Sequence, residues 1–124
     1  MKRKPIKSLR NKLWKLISNH VRLAAANRDG FAECVTCGTA KSWKELHAGH
    51  FIPAAKGNAI RWDTRGIHPQ CYRCNINLQG NWPAYYEYMK DRYGLEVIDE
   101  LIVKSNVVLK LTALDYEQMI AEYL

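Results

Sequence analysis

Four cysteines in two Cys-x-x-Cys pairs constrain this chain more than any other feature. Cys34 and Cys37 form the first pair, Cys71 and Cys74 form the second, and residues 38–70 separate them. Four thiolates suit a tetrahedral zinc ion and leave no open coordination position, so we expect a structural Zn²⁺ that holds the fold. We expect no secretory signal on this chain, which argues against disulfides. A redox motif would need a thioredoxin-like context that is missing here.

Positive charge is concentrated near the N-terminus. The formal net charge is +7, and nine Lys or Arg residues fall between Lys2 and Arg28, with no acidic residue before Asp29. This distribution favours a polyanionic partner such as DNA or RNA, and the alternative is a solvated basic face without a partner. No apolar run approaches the length of a membrane span, so we expect a cytoplasmic protein with no membrane partner.

The 124 residues divide into three predicted segments. Residues 1–30 should form a basic arm and an amphipathic helix, residues 31–81 a zinc-bound core, and residues 82–124 a C-terminal helical extension. The first helix is expected to begin with Ser8 as its N-cap and to end at Asp29 and Gly30.

Short strands are predicted inside the core segment. They fall at residues 43–47 and 65–68, and an irregular loop covers residues 53–58. Trp62 and Trp82 are expected to pack in the core, with stacking on an unpaired base as the alternative. Further on, Thr112 and Asp115 approximate a capping box.

Five residues between or beside the cysteine pairs can bind a metal or move a proton: His47, His50, Asp63, His68 and Asn75. His50 should end a strand, and Asn75 should lie on a helical turn that faces it. A neutral imidazole placed there can activate water, beside a divalent metal that stabilises a leaving oxygen. Structural roles are the alternatives: His47 could hydrogen-bond the zinc thiolates, His68 could pack beneath them, and Asp63 could cap a turn.

The stretch His50-Phe51-Ile52-Pro53, followed by a glycine-containing loop and Cys71-x-x-Cys74-Asn75, resembles an HNH, or ββα-metal, endonuclease. The ordered motifs HAGHF, RWD, IHPQC, CN and LQGN are similar to the phage NinG/Rap recombination endonucleases, a family that acts on Holliday junctions and D-loops. The resemblance implies an α+β fold with a zinc-stabilised, treble-clef-like ββα-metal core. It also implies hydrolysis of branched DNA with Mg²⁺ or Mn²⁺, in the host cytoplasm if the protein is phage-encoded.

By the same resemblance, His50 is the general base and Asn75 is a metal ligand. The family's ligand position before the base is Gly49 here, so we expect His47, two residues earlier on the same strand face, to substitute. The family's central Asn falls at Gly66. Asp63 or His68 is expected to take over part of its role, either by orienting His50 or by joining the metal shell.

Six basic residues are expected to neutralise substrate phosphates around this site: Lys41, Lys44, Lys56, Arg61, Arg65 and Arg73. A non-catalytic zinc-finger DNA-binding module is the main alternative function, and a sequence-specific HNH nuclease is a third. Paired cuts on a four-way junction need two active sites and suggest a homodimer. The apolar stripes of residues 95–124 are either that interface or packing within the chain.

Overall fold

Two small antiparallel hairpins and five α-helices make up the described part of the chain. The computed structural model describes residues 4–124, so the first three residues of the predicted basic arm lie outside the described part. The described elements are α1 (Ile6–Ala24), β1 (Phe31–Glu33), β2 (Ala40–Ser42), β3 (His47–His50), α2 (Asn58–Arg61), β4 (Ile67–Gln70), α3 (Trp82–Tyr93), α4 (Leu95–Ser105) and α5 (Ala113–Ala121). The predicted mixed α+β class is confirmed. No helix within residues 4–124 is long and apolar enough to cross a membrane.

The bounds of α1 differ from the prediction at both ends. The helix begins at Ile6 after Pro5, whose carbonyl accepts the Leu9 N–H, so Ser8 lies inside the first turn and is not the cap. It ends at Ala24, well before the predicted stop, because the Asn27 side chain accepts the N–H groups of Asp29 and Phe31. Such a local side-chain bond competes with continuation of the helix.

The second hairpin carries the residues of interest. β3 pairs antiparallel with β4, so that His47 lies opposite Gln70, Gly49 opposite His68 and His50 opposite Ile67. Side chains alternate between the faces of a strand, so His47 and Gly49 share one face while His50 points to the other.

Both strands of this hairpin start later than predicted, and the ranges 43–47 and 65–68 are wrong. A turn closed by the Glu45 N–H and the Ser42 carbonyl precedes β3, and a 3₁₀ turn at Thr64–Gly66 precedes β4. The predicted irregular loop at 53–58 is also partly ordered, because it contains a 3₁₀ turn at Ala54–Lys56 and the start of α2.

Apolar residues from distant parts of the chain cover both faces of the β3–β4 hairpin. The first cluster joins α1, the hairpin and α5 through Leu9, Leu13, Ile17, Ala48, Ile67, Tyr116 and Ile120. The second joins α3 and α4 to the segment after β3 through Phe51, Ile60, Tyr85, Met89, Ile98 and Leu101. The buried parts of the stripes in α4 and α5 therefore pack within the chain.

The two tryptophans of interest occupy different environments. Trp62 is half-buried against the first cluster and lies edge-on to Tyr116, in agreement with a core role. Trp82 is 57% exposed and contacts Tyr86, so its predicted core position is wrong. Trp82 opens α3, where a side chain has few neighbours. At the start of α5, Thr112 and Asp115 form a complete capping box.

Candidate active site and zinc centre

The four cysteines converge on one point. Their Sγ atoms all lie within 4.8 Å of one another, and Cys37 Sγ is 3.7 Å from Cys71 Sγ. Four thiolates bound at about 2.3 Å around a tetrahedral Zn²⁺ would be about 3.8 Å apart. The cluster can therefore hold a metal ion such as zinc, as the spacing predicted.

Local turns bring these thiols together. Cys34 and Cys37 lie on a turn after β1 that closes at Gly38, whose φ of 81° favours glycine. Burial raises the pKa of the Cys34 thiol, but the Thr36 hydroxyl and nearby backbone N–H groups outweigh it and lower the pKa to about 6. Burial raises the pKa of Cys71 to about 11, so this thiol needs a bound cation to lose its proton at neutral pH.

His50 is held by contacts on two sides. Its Nε2 lies 2.9 Å from the Arg61 carbonyl oxygen, and its ring stacks on Trp14 at 5.0 Å between centroids. A carbonyl can only accept, which assigns the ring proton to Nε2 and leaves Nδ1 with a free lone pair. Burial, with a smaller contribution from the Arg61 charge, lowers the pKa of His50 below its ordinary value of 6.5. The imidazole is therefore neutral at pH 7.

A cavity of about 600 Å³ opens beside His50. Arg10, Asn11 and Trp14 of α1 form one wall, and Arg61 and Asn75 approach from the core segment. The approach of α1 to this cavity was not predicted from the sequence. The one available signal was the side-by-side placement of Arg10 and Trp14, four residues apart, along the edge of the apolar stripe of α1.

His47 and Asn75 form a pair at the edge of this cavity. His47 Nδ1 and Asn75 Nδ2 are 3.0 Å apart, and the His47 ring lies edge-on to Tyr72. Asn75 also lines the cavity that contains His50. The structure thus joins His47 to Asn75 by direct contact, and Asn75 shares the cavity with His50.

Asp63 lies away from His50 and binds cations. Its carboxylate accepts from the backbone and side chain of Arg65, and Lys104 Nζ lies 2.8 Å from Oδ2. Burial would raise the pKa of Asp63, but these hydrogen bonds and the Lys104 charge lower it to about 2. Asp63 caps the 3₁₀ turn before β4. The structure does not bring it to His50, whose ring partner is the Arg61 carbonyl.

His68 is buried on the other side of the hairpin. Its Nδ1 is 3.1 Å from the Tyr85 hydroxyl and its Nε2 is 2.8 Å from the Tyr93 hydroxyl. Tyr85 donates its own proton to the Gly49 carbonyl at 2.7 Å, so it accepts from His68 Nδ1, and Tyr93 donates to Nε2. Burial and the Arg92 charge lower the pKa of His68 to about 4. Both ring nitrogens are occupied, so His68 has none left for a metal or for His50.

The six basic residues expected around the site are not equivalent. Arg61 lines the cavity, whereas Arg65 is engaged by Asp63 and Glu100. The other four are exposed on the surface: Lys41, Lys44, Lys56 and Arg73. Arg10 of α1 is the additional cation that the structure places in the cavity.

A protein family described as "Bacteriophage Lambda NinG protein" matches residues 1–124 of this chain. The chain belongs to the NinG family. Protein ninG of Escherichia phage 933W is 38% identical over 79 residues, which are 64% of this chain and 39% of that protein. Protein ninG of Salmonella phage P22 is 36% identical over 74 residues, or 60% of this chain and 36% of that protein.

Protein ninG of Escherichia phage lambda is likewise 36% identical over 79 residues, covering 64% of this chain and 38% of that protein. The matches between this NinG-family chain and these relatives therefore span well under half of each relative's own length. No solved structure matches the chain significantly.

Proposed function

We propose that this NinG-family protein is a metal-dependent HNH-type DNA endonuclease that acts on branched recombination intermediates, such as Holliday junctions or D-loops, in the host cytoplasm. One observation carries the proposal. His50 is a neutral imidazole with a fixed ring and a free Nδ1, and it faces a cavity that also contains two arginines. A neutral histidine that cannot turn is suited to remove a proton from water.

The chemistry assigned to His50 is phosphodiester hydrolysis. His50 Nδ1 takes a proton from water as the water oxygen forms a bond to phosphorus, and the bond from phosphorus to one bridging ester oxygen breaks. The leaving oxygen then takes a proton from solvent. Arg10 and Arg61 bind the non-bridging phosphate oxygens from opposite walls of the cavity and neutralise the charge that develops there.

His47 and Asn75 are the proposed ligands of a divalent metal ion, Mg²⁺ or Mn²⁺. His47 Nδ1 and Asn75 Nδ2 lie 3.0 Å apart, so these two side chains would hold one ion together once the Asn75 amide turned its oxygen towards it. When bound, the ion supplies positive charge that stabilises the leaving oxygen.

The surrounding fold supports the same proposal. The β3–β4 hairpin runs directly into Cys71 and then into a π-helical turn at Arg73–Asn77, which carries Cys74 and Asn75. We propose that this hairpin, this turn and the zinc centre constitute a treble-clef-like ββα-metal core. The zinc holds the core together and takes no part in the chemistry, because four thiolates leave it no open position.

A cleavage assay tests the proposal. Zinc-loaded protein is incubated with a labelled Holliday junction, a D-loop or linear duplex, with Mg²⁺ or Mn²⁺ and then with EDTA. We expect metal-dependent cutting of the branched substrates. His50→Gln, which keeps a donor for the Arg61 carbonyl but removes the base, should slow cutting by at least about 100-fold. His20→Ala is the matched control, since His20 is exposed on α1 and contacts Tyr123 instead.

Other outcomes identify the alternatives. Tight binding of branched DNA with no cutting under any metal would indicate a zinc-finger binding module. Sequence-specific cutting of linear duplex would indicate an HNH nuclease of another kind. Paired cuts on a junction require two active sites, so we propose a homodimer on that substrate, and the mass of the protein–junction complex measures it.

A further inference from the structure

The side chain of Gln70 has one atom that the fold leaves without a partner. Gln70 ends β4 and is completely buried. Its Nε2 donates to the Gly80 carbonyl at 2.8 Å and to Thr36 Oγ1 at 3.1 Å, whereas its Oε1 is buried with no hydrogen-bond partner among residues 4–124. The Gly80 carbonyl can only accept, so it fixes the amide nitrogen on its side and Oε1 on the other. A buried amide oxygen without a partner is uncommon in folded proteins.

This oxygen lies against Gly49 on the neighbouring strand. A Cβ atom at residue 49 would overlap Gln70 Oε1 and would lie 2.7 Å from Cδ of the same amide. The backbone of Gly49 does not have the positive φ that favours glycine, and it pairs in the regular β3–β4 register. The glycine is therefore required by the close approach of the Gln70 amide and not by the backbone conformation.

The strand register places Gln70 beside the proposed metal ligands. Gln70 is directly opposite His47, so both side chains project from the same face of the hairpin. His47 in turn contacts Asn75. This face of the hairpin thus carries the His47 imidazole, which the Asn75 amide contacts, and the Gln70 amide, whose oxygen is already fixed in orientation by the bonds to its nitrogen.

We propose that Gln70 Oε1 is a further ligand of the divalent cation held by His47 and Asn75. The proposal rests on the proposed function, because it assigns a ligand to that metal. Amide oxygens are suitable neutral ligands for hard cations such as Mg²⁺ and Mn²⁺. Gln70 thereby provides, from β4, the oxygen that residue 49 lacks on β3, and the absence of a side chain at Gly49 makes room for it.

Mn²⁺ binding to zinc-loaded protein tests this ligand without reference to activity. The free Mn²⁺ concentration is followed by its electron paramagnetic resonance signal for the wild type and for Gln70→Met, which keeps the length of the side chain but removes the oxygen. We expect Mn²⁺ affinity to fall at least about tenfold in Gln70→Met. Zinc content and thermal unfolding of each protein confirm that the fold is retained.

A pair of double variants separates ligation from packing. Gly49→Asp with Gln70→Ala places a carboxylate in the vacated space, and it should restore Mn²⁺ binding to at least the wild-type affinity. Gly49→Leu with Gln70→Ala fills the same space without an oxygen and should remain as weak as Gln70→Met. If the two double variants bind Mn²⁺ equally, Gln70 acts only in packing and the proposal is overturned.

The remaining outcomes distinguish this proposal from the proposed function. If wild type binds Mn²⁺ and Gln70→Met binds it equally well, Gln70 is not a ligand while the metal site stands. In that case Oε1 makes only a weak contact with the Gly49 Cα–H. If zinc-loaded wild type binds no Mn²⁺, both the metal site and the role of Gln70 are overturned together.

Discussion

Removing the Tyr85 hydroxyl should destabilise the fold by more than the loss of one hydrogen bond, because this group takes part in two. This group is fully buried, donates to the Gly49 carbonyl at 2.7 Å and accepts from His68 Nδ1 at 3.1 Å. In Tyr85→Phe the hydrogen bond to Gly49 is lost, and the buried His68 N–H keeps no acceptor. One lost hydrogen bond contributes about 1 kcal/mol and one unsatisfied buried donor about 1–3 kcal/mol. The free energy of unfolding should therefore fall by about 2–4 kcal/mol.

Two further tyrosines calibrate this prediction. Tyr93→Phe removes the donor to His68 Nε2 at 2.8 Å, but Tyr93 is only half-buried, so water can replace it and the loss should be about 1 kcal/mol. Tyr86→Phe is the matched control, because the Tyr86 ring contacts Trp82 and its hydroxyl has no hydrogen-bond partner within residues 4–124. That variant should stay within about 0.5 kcal/mol of wild type.

Urea unfolding of zinc-loaded protein at pH 7 provides the measurement. The order of destabilisation should be Tyr85→Phe, then Tyr93→Phe, then Tyr86→Phe. If Tyr85→Phe and Tyr86→Phe differ by less than about 1 kcal/mol, the directed chain of hydrogen bonds from Tyr93 through His68 to Gly49 does not stabilise the fold as argued.

Further predictions concern metal, charge and pH. Cys71→Ser should lower the zinc content measured by atomic absorption and unfold the core, since zinc binding supplies on the order of 10 kcal/mol; full zinc loading would contradict this. Arg10→Gln should weaken junction binding about tenfold and reduce its salt slope by about 1, whereas exposed Lys12→Gln should have a smaller effect. The pKa of His68 is lowered from 6.5 to about 4. The contribution of its neutral form to the free energy of unfolding is therefore complete above pH 6.5 and decreases as the pH falls towards 4. Between pH 7 and pH 5 the free energy of unfolding, measured with urea, should fall by about 2 kcal/mol more in wild type than in His68→Gln. Equal decreases in the two proteins would refute this role of His68.

The cluster of four cysteines could be predicted from the sequence because its chemistry is local. Each Cys-x-x-Cys pair fixes two thiols on one turn, and four thiols in one domain have few other uses. The position of His50 at a strand end could also be predicted. The exact bounds of the strands could not be predicted. A strand of four residues such as HAGH is too short to show a clear alternation of apolar and polar side chains.

The contacts that fix the orientation of the His50 ring could not be recognised in the sequence. A backbone carbonyl such as that of Arg61 is the same at every residue, and only the tertiary fold selects it. The ion pairs of Asp63 could not be predicted from the sequence either. One of its cations, Lys104, comes from α4, so the residues near Asp63 in sequence could not show that its charge was already compensated.

Trp14 of α1 lines the cavity beside His50, so the cavity is complete only when α1 has packed onto the rest of the fold. Trp14 reaches His50 because α1 packs against β3, and the same helix packs against α5 in the first cluster, where Leu13 and Tyr116 are about a hundred positions apart in sequence. Contacts between such distant residues carry a large loop-closure cost and form late, whereas the hairpins and the cysteine turns are local. We therefore expect the contacts between α1 and α5 to form after the hairpins and the individual cysteine turns.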